Sequence, residues 1–371
     1  GQVYPRVRDY GNWHRIQFGD YYGYVRKSDT IPSNGHSIKN ENTSYPTDGR
    51  TFTSLQEIEV YDNTSGSLVP FATLEEGVEA TIANDYGNWW RVVLSDRVGY
   101  VRKSEVQVGF YLEDNYFEVI TEDTIVYDNR GSSLKPIGTL MKGQVYPRVR
   151  DYGNWHRIQF GDYYGYVRKN DTIPSKGHSI QNENTSYPTD GRIFTALQEI
   201  EVYDNTSGSL VPFVTLKEGV EATIVNNYGN WWRVVLSDRI GYVRKSETQV
   251  EFKNGDRYFS PIKNTSVYDN RTGKLIEVGE LYKGITYPIF NDYGNWWRIN
   301  FGNIYGYVRK SDTSYSESNF VSNENRYTSN QSVIVPHNSI VYDNSQGELF
   351  AIGEIGKQFV YPIISDYGNW W

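Results

Sequence analysis

The chain has 371 residues and a formal net charge of −8, with 33 tyrosines, 10 tryptophans, one methionine and no cysteine. Without cysteine, neither disulfides nor thiolate metal sites can stabilise it. The acidic balance argues against nucleic acid as a partner, because phosphate binding needs a basic surface. No apolar run approaches the roughly 20 residues that cross a bilayer, so we expect no membrane insertion.

The phrase Asp-Tyr-Gly-Asn-Trp recurs along the whole chain. It occurs six times, once with Asn in place of the Asp, and all ten tryptophans lie in it or directly after it. Its tryptophans are Trp13, Trp89, Trp155, Trp231, Trp296 and Trp370, at alternating long and short intervals. Residues 1–108 match residues 143–250 with 11 mismatches, so two alternating modules form a 142-residue super-repeat. Such self-similarity is typical of a repeat architecture.

Two further phrases delimit each module. Val-Tyr-Asp-Asn begins at Val60, Val126, Val202, Val267 and Val341, and Gly-Tyr-Val-Arg-Lys ends at Lys27, Lys103, Lys169, Lys245 and Lys310. Because the chain enters one module in the middle and stops inside the repeated phrase, we expect it to be a section of a longer array. The predicted order is a partial module 1–30, a connector 31–50, modules 51–106 and 115–172, a connector 173–192, modules 193–248 and 257–313, a connector 314–331 and a partial module 332–371.

Each module is predicted to consist of short strands. Runs rich in Val, Ile, Thr, Tyr and Trp alternate with clusters of Gly, Asn, Asp and Ser, and no segment has helical periodicity. Five short antiparallel strands with this spacing close most economically as a small barrel, so we predict an all-β array. In the second module the predicted strands are 57–61, 68–74, 78–84, 89–94 and 98–102, with turns at 62–66, 75–77, 85–88 and 95–97.

The tryptophan strand indicates which face is buried. Trp90, Val92 and Leu94 share one face of this strand, which we assign to the core. Alternation along a strand then places Trp89 on the opposite face, beside Arg91. The first tryptophan of every phrase is therefore predicted to point outward.

The outward aromatic residues form the candidate binding site. Tryptophans and neighbouring tyrosines could line a shallow groove that stacks on sugar rings or extended peptides. The same residues could instead form a glycine-centred turn and cover the end of the barrel, which requires no ligand. The cations of Gly-Tyr-Val-Arg-Lys could hold anionic groups of a polymer or form a solvated strand end. The candidates are Trp13, Trp89, Trp155, Trp231, Trp296, Tyr86, Tyr228, Tyr293, Tyr100, Tyr242, Arg91 and Arg233.

We expect no metal, cofactor or catalytic site. Asp62 and Asn63, followed by Gly66, match part of a calcium loop but lack its series of oxygen ligands, so they predict an Asx turn. His14 and His156 stand where other modules have tryptophan, which predicts aromatic packing. Every polar cluster recurs, whereas a catalytic site is normally singular, so the chain is predicted not to be an enzyme.

The connectors are of two kinds. The long ones contain Asn-Glu-Asn amid Ser, Thr, Gly and Pro, which is typical of an extended surface segment. The short ones carry aromatic residues that we expect to pack between neighbouring modules, and these are Phe110, Tyr111, Tyr116, Phe117, Phe252, Tyr258 and Phe259. The array is therefore predicted to be stiff within a pair of modules and hinged between pairs.

The module resembles the bacterial SH3-like domain. The resemblance rests on Gly-Asn-Trp, an aliphatic residue three positions later, a short turn and then Gly-Tyr-Val, and it covers four whole modules and parts of two. It implies five-stranded SH3-like barrels strung like beads, as in cell-wall hydrolases and surface proteins of Gram-positive bacteria. It also implies an extracellular setting and binding to peptidoglycan or its peptides. Tyr100, where relatives often have Trp, and the Val-Tyr-Asp-Asn opening depart from the family pattern and leave the ligand open.

These observations favour an adhesin-like stalk that binds a cell-wall or other cell-surface polymer through several modules. Two alternatives remain open. The chain could be the wall-targeting region of a peptidoglycan hydrolase, or a structural surface fibre whose modules associate only with each other.

Overall fold

A computed structural model describes residues 2–35, 49–94, 97–177, 191–237, 239–317, 331–345 and 347–371. The prediction of an all-β chain is confirmed: within these ranges the secondary structure consists of antiparallel strands and five short 3-10 turns. The turns follow Gly-Tyr-Val-Arg and span Lys27–Asp29, Lys103–Glu105, Lys169–Asp171, Lys245–Glu247 and Lys310–Asp312. The described part of the chain contains no helix with the length and apolar character needed to cross a membrane.

The chain divides into two compact units, and the first comprises Gly1–Glu183 and Pro212–Thr215. Its first module is the sheet β1-β2-β3, with β1 (Arg8–Tyr10), β2 (Trp13–Phe18) and β3 (Tyr21–Arg26). The second module contains β4 (Thr51–Ser54), β5 (Ile58–Asp62), β6 (Val69–Leu74), β7 (Glu79–Tyr86), β8 (Trp89–Leu94), β9 (Arg97–Arg102) and β10 (Val106–Val108), in the order β10-β4-β7-β8-β9-β5-β6. The third contains β11 (Tyr116–Val119), β12 (Thr124–Asp128), β13 (Lys135–Leu140), β14 (Val145–Pro147), β15 (Arg150–Tyr152), β16 (Trp155–Phe160), β17 (Tyr163–Arg168) and β18 (Thr172–Ser175). Its ladders run β14-β11-β18 and β15-β16-β17-β12-β13.

The second unit comprises Asn184–Val211 and Leu216–Trp371. Its first module contains β19 (Ile193–Ala196), β20 (Ile200–Asp204), β22 (Glu221–Tyr228), β23 (Trp231–Leu236), β24 (Arg239–Arg244) and β25 (Thr248–Val250). The remaining strand of this module, β21 (Val211–Leu216), has its central residues, Pro212–Thr215, in the first unit. The next contains β26 (Tyr258–Pro261), β27 (Thr265–Asp269), β28 (Ile276–Leu281), β29 (Tyr287–Pro288), β30 (Asn291–Tyr293), β31 (Trp296–Phe301), β32 (Ile304–Arg309) and β33 (Thr313–Tyr315). The last contains β34 (Ser332–Ile334), β35 (Ser339–Asp343), β36 (Phe350–Ile355) and β37 (Val360–Pro362).

All five strands predicted for the second module are present as β5 to β9. The first three begin one residue later than predicted and β9 one residue earlier, while β7 continues to Tyr86 and shortens the following turn to two residues. Residues 95 and 96 of the predicted turn 95–97, and residues 36–48, 178–190 and 318–330 of the long connectors, lie outside the described residues. Two further strands, β4 and β10, pair with each other and bury Phe52, Val106 and Val108.

Strand β7 bends between two partners. Its first residues, 79–81, pair with β4 and its last pair with β8, with a bulge between Ile82 and Asn84. The sheet ends at β10 and β6, which do not pair with each other in the described residues, so the ladder stays open rather than closing as a barrel. In the third module Pro147, which has no N–H, divides the equivalent segment into β14 and β15.

Neighbouring modules within the first unit share a hydrophobic core. The buried cluster of the second module includes Ile120 and Ile173 of the third, and Tyr4 and Phe18 of the first module pack against it. The expectation of separate beads is therefore wrong within this unit. The physical reason is size, since a domain of about 60 residues is only marginally stable by itself and gains stability from a shared core.

Short connectors join an even-numbered module to the odd-numbered one that follows. The amide of Gln107 donates to the carbonyls of Lys169 at 3.3 Å and Thr172 at 3.0 Å. In the second unit the amide of Gln249 donates to the carbonyls of Ser311 at 3.2 Å and Thr313 at 2.8 Å. Two of the connector aromatics pack on the module that follows: Phe110 lies against His156 at 4.3 Å, and Phe252 lies against Trp297 at 4.7 Å. Phe117 and Phe259 are instead fully buried within strands.

The fifth and sixth modules join by strand pairing. Strand β28 pairs with β36, and the hydroxyl of Tyr361 donates to the carbonyl of Val278 at 3.0 Å. The backbones approach so closely that a Cβ on Gly279 would lie 2.4 Å from the carbonyl oxygen of Glu354 and 2.5 Å from the Phe301 ring. This junction therefore requires glycine.

Gly279→Ala is expected to destabilise the second unit by about 1 to 3 kcal/mol, because the added methyl group must displace backbone. Thermal denaturation followed by circular dichroism would measure the loss. Gly131→Ala is the matched control, since its Cβ would meet no atom closer than 3.8 Å. Equal melting temperatures for the two variants would contradict the close packing of β28 on β36.

Candidate functional site

The repeated phrase forms a two-residue hairpin turn. In the second module Tyr86 pairs with Trp89, and Gly87 between them has φ 63°. A glycine with positive φ at the first of two loop residues is what a type II′ turn requires. The carbonyl of Asn88 accepts a hydrogen bond from the backbone N–H of Lys103 at 3.1 Å, which ties the turn to the end of β9.

The lysine of Gly-Tyr-Val-Arg-Lys is bound within its own module. The ammonium of Lys103 lies 2.8 Å from the carboxylate of Asp85 and 4.5 Å from the ring of Trp90. In the fourth module Asn227 replaces the aspartate and still accepts from Lys245 at 2.6 Å, while burial lowers the pKa of Lys245. These lysines hold the strand ends together and do not form a free anion site.

The outward tryptophan has partners within its module. The ring of Trp89 meets Tyr61 edge-on at a centroid distance of 5.5 Å, and the guanidinium of Arg102 lies 5.4 Å from its centroid. The ring is half-buried. The same edge-on contact recurs at Trp155, Trp231, Trp296 and Trp370, and the arginine contact recurs at Trp13, Trp155, Trp231 and Trp296.

The tyrosine of the phrase is the exposed aromatic residue. Its ring is between 53% and 56% exposed in five modules, at Tyr10, Tyr86, Tyr152, Tyr228 and Tyr293. Each ring meets a second tyrosine on the strand beyond the tryptophan strand, at centroid distances of 5.5 to 5.8 Å. These side chains extend from the hairpin with one face open, so they are the accessible part of the predicted groove.

Two predicted groove residues are not accessible. Tyr100 and Tyr242 are each 6% exposed, and the guanidiniums of Arg91 and Arg233 lie 5.6 Å from their respective ring centroids. In the fourth module Tyr242 belongs to a small second cluster with Val225 and Ile240 on the outward face. The sequence analysis named these rings as groove candidates, but the apolar neighbours on the outward face bury them. They cannot line an open groove.

Odd-numbered modules expose aromatic residues that the sequence analysis missed. Tyr22, Tyr164 and Tyr305 are 52%, 46% and 44% exposed, and each lies under an arginine of the adjacent strand. Aligning the two module types gives the signal for this difference, because the second and fourth modules have Val98 and Ile240 at the same position. A tyrosine in place of a buried aliphatic residue indicates that the outward face of odd-numbered modules has a different role from that of the second and fourth modules.

The Asx turn predicted at Asp62 is confirmed. Its carboxylate accepts from the backbone N–H of Thr64 at 2.6 Å, and Gly66 donates to the carbonyl of Asn63 at 3.1 Å. In the described ranges, no group of three or more His, Asp or Glu side chains is arranged to hold a metal ion.

The aromatic packing predicted for the tryptophan-substituting histidines is confirmed at His156. Its ring is fully buried and stacks on Phe117 at 4.7 Å with an interplanar angle of 11°. Its Nε2 lies 3.0 Å from the hydroxyl of Thr172. Burial, together with the charges of Arg148 and Lys169, lowers the pKa of His156 to about 3, so the ring is neutral at pH 7.

Comparison with known proteins gives no family assignment. No protein-family model matches the chain, and no curated protein matches it. Among solved structures, NlpC1 from Trichomonas vaginalis aligns with 59% of this chain and 99% of its own length, at 8% identity and a TM-score of 0.15. A similarity this low carries no argument about fold or function.

Proposed function

We propose that the chain is a non-catalytic section of an extracellular bacterial surface protein, in which tandem SH3-like modules bind a polymer of the Gram-positive cell surface. The SH3-like assignment is supported by the bent strand β7, which joins two ladders around one core in the second module. With no cysteine and one methionine, the chain offers little for oxidation to attack, which fits an exposed setting.

One repeated observation carries the binding role. Five modules present the tyrosine of the phrase at nearly the same exposure, on the same two-residue turn. A solvent-exposed tyrosine contributes little to folding, whereas its planar face can stack on a sugar ring or a peptide. Several weak sites on one chain raise the overall affinity by about 10² to 10⁴ when they can bind together.

A purified cell-wall sedimentation assay tests this function. The chain is expected to be retained on Gram-positive cell walls, and replacing the five phrase tyrosines by serine is expected to reduce retention at least tenfold while leaving the melting temperature nearly unchanged. The matched control replaces five leucines of another turn, which are 44% to 52% exposed, by serine: Leu68, Leu134, Leu210, Leu275 and Leu349. Failure of the unaltered chain to bind walls would contradict the proposal.

A structural fibre is the second candidate. It is favoured by the core shared between modules of the first unit and by the edge-on partners that each outward tryptophan already has. Under this alternative the tyrosine variant and the leucine variant would behave alike in every binding assay.

A further inference from the structure

The first, third and fifth modules carry an outward face that differs in chemistry from that of the second and fourth. In the third module this odd-module face consists of Arg150, Tyr152, Arg157, Tyr164 and Arg168. Arg150 pairs across the sheet with Arg157, and Tyr152 pairs with Trp155, whose other cross-strand partner is Arg168. Because side chains alternate along β15, β16 and β17, these arginines and tyrosines lie together on the outward face of the sheet.

The even-numbered modules lack this combination. Asn84 stands where the third module has Arg150, and Val98 stands where it has Tyr164. Val98 is 2% exposed, whereas Tyr164 is 46% exposed. At this position the outward face is thus apolar and buried in the second module but aromatic and exposed in the third.

The cations of the odd-module face have no acidic partner among the residues that the structure describes. Among the described residues, no carboxylate lies within 4 Å of the guanidiniums of Arg150, Arg157 and Arg168. A polyanionic partner would therefore meet local positive charge although the whole chain is acidic.

The central guanidinium of the odd-module face lies against an exposed ring. The Cζ of Arg157 lies 4.3 Å from the centroid of Tyr164, and the counterpart distance from Arg15 to Tyr22 is 3.7 Å. Stacking holds a guanidinium in a fixed plane, which leaves its outer N–H groups available for bidentate contact with a carboxylate. A tyrosine ring on which a sugar can stack is thus adjacent to a guanidinium that can bind a carboxylate.

We propose that the odd-module face binds an anionic glycan, with sugar rings on Tyr152 and Tyr164 and their carboxylates on Arg150 and Arg157. This inference rests on the proposed function and specifies its ligand class. A neutral glycan would leave the guanidiniums unpaired, and a polyanion without rings would leave the tyrosines uncontacted. The third module has all of these arginines and tyrosines. The first module has Arg8 at the position of Arg150 and Tyr22 at the position of Tyr164, whereas the fifth has Asn291 at the position of Arg150.

Binding of the full chain to three soluble polymers tests the ligand class. Polygalacturonate has sugar rings and carboxylates, dextran has rings without charge, and polyphosphate has charge without rings. Isothermal titration is expected to show binding to polygalacturonate at least tenfold tighter than to either other polymer, and weaker as salt is raised. Equal or tighter binding of dextran or polyphosphate, or no binding of polygalacturonate, would overturn the proposal.

The binding site can be located with variants in which residues of the odd-module face are replaced by the residues at the same positions of even modules. Arg8→Asn combined with Arg150→Asn, and separately Tyr22→Val combined with Tyr164→Val, are each expected to weaken polygalacturonate binding at least tenfold. Arg102→Asn combined with Arg244→Asn removes the same charge from exposed positions of even modules and is expected to change binding less than twofold. An equal loss in this control would overturn the assignment to odd modules.

The same variants separate this inference from the proposed function. If the Arg8→Asn, Arg150→Asn chain is retained on cell walls as well as the unaltered chain, the glycan inference fails while wall binding stands. If the unaltered chain binds polygalacturonate but no cell wall, the proposed cellular ligand fails while the chemistry of the face stands.

Discussion

Asp256→Ala is expected to lower the free energy of unfolding of the second unit by about 3 to 5 kcal/mol, since it leaves a buried cation without its partner. The carboxylate of Asp256 contacts both terminal nitrogens of Arg192, at 2.9 and 3.1 Å, and the two side chains are 9% and 8% exposed. Arg192 also donates to the carbonyl of Glu251 at 2.8 Å and lies 3.5 Å from the ring centroid of Tyr315. The pair therefore fixes the connector between the fourth and fifth modules.

Chemical denaturation would measure this loss, and Asp256→Asn should lose less because its amide oxygen can still accept one hydrogen bond. The control is Glu199→Ala, which breaks an exposed pair with Lys217 and is expected to cost less than about 1 kcal/mol. An Asp256→Ala chain as stable as this control would contradict a structural role. Arg50 and Asp114 repeat the pair in the first unit, so Asp114→Ala should act in the same way there.

Acidification is expected to destabilise the module that contains His156. The hydroxyl of Thr172 donates to the carbonyl of Lys169, so it accepts from Nε2–H of His156. The opposite ring nitrogen, Nδ1, is buried without a hydrogen-bond partner, and protonation would place a charged N–H there. The folded pKa of about 3 lies below the ordinary 6.5. The unfolded chain therefore binds the proton first, and stability present above pH 6.5 is lost as the pH falls toward 3.

The loss attributable to this ring should be about 3 kcal/mol by pH 4, at roughly 1.4 kcal/mol per pKa unit. Melting temperatures between pH 7.5 and pH 4 would measure it. His156→Trp is the matched variant, because Trp297 occupies this position in the fifth module and donates to Thr313 at 3.1 Å. The variant should remove this part of the pH dependence, whereas an unchanged pH profile would contradict the assignment to His156.

Local sequence signals predicted the hairpins and the strand faces well. Alternation correctly placed Trp90, Val92 and Leu94 in the core, and the Gly-Asn turn follows from the conformational freedom of Gly87. Both depend on residues within a few positions of each other, so they can be inferred without knowing distant partners. The short strands β4 and β10 were missed because each is defined by a partner about 50 residues away.

The candidate site could be predicted only in part. The sequence analysis named Trp89 and Tyr100 as groove residues, yet Tyr100 is buried and Trp89 is half-buried between Tyr61 and Arg102. Exposure depends on which apolar side chains gather on the same face, and this is a property of packing. The exposed Tyr164 and the unpaired Arg150 therefore became candidates only once the strands had been placed side by side.

The sequence by itself determined the repeat, the all-β class, the hairpin turn and the inward or outward direction of each residue on the tryptophan strand, because these follow from spacing and from the backbone preferences of single residues. The tertiary structure decided which outward residues are accessible, that modules of the first unit share a core, and that odd and even modules present different faces. These properties arise from contacts between residues far apart in the chain, where burial and charge pairing depend on the assembled neighbours.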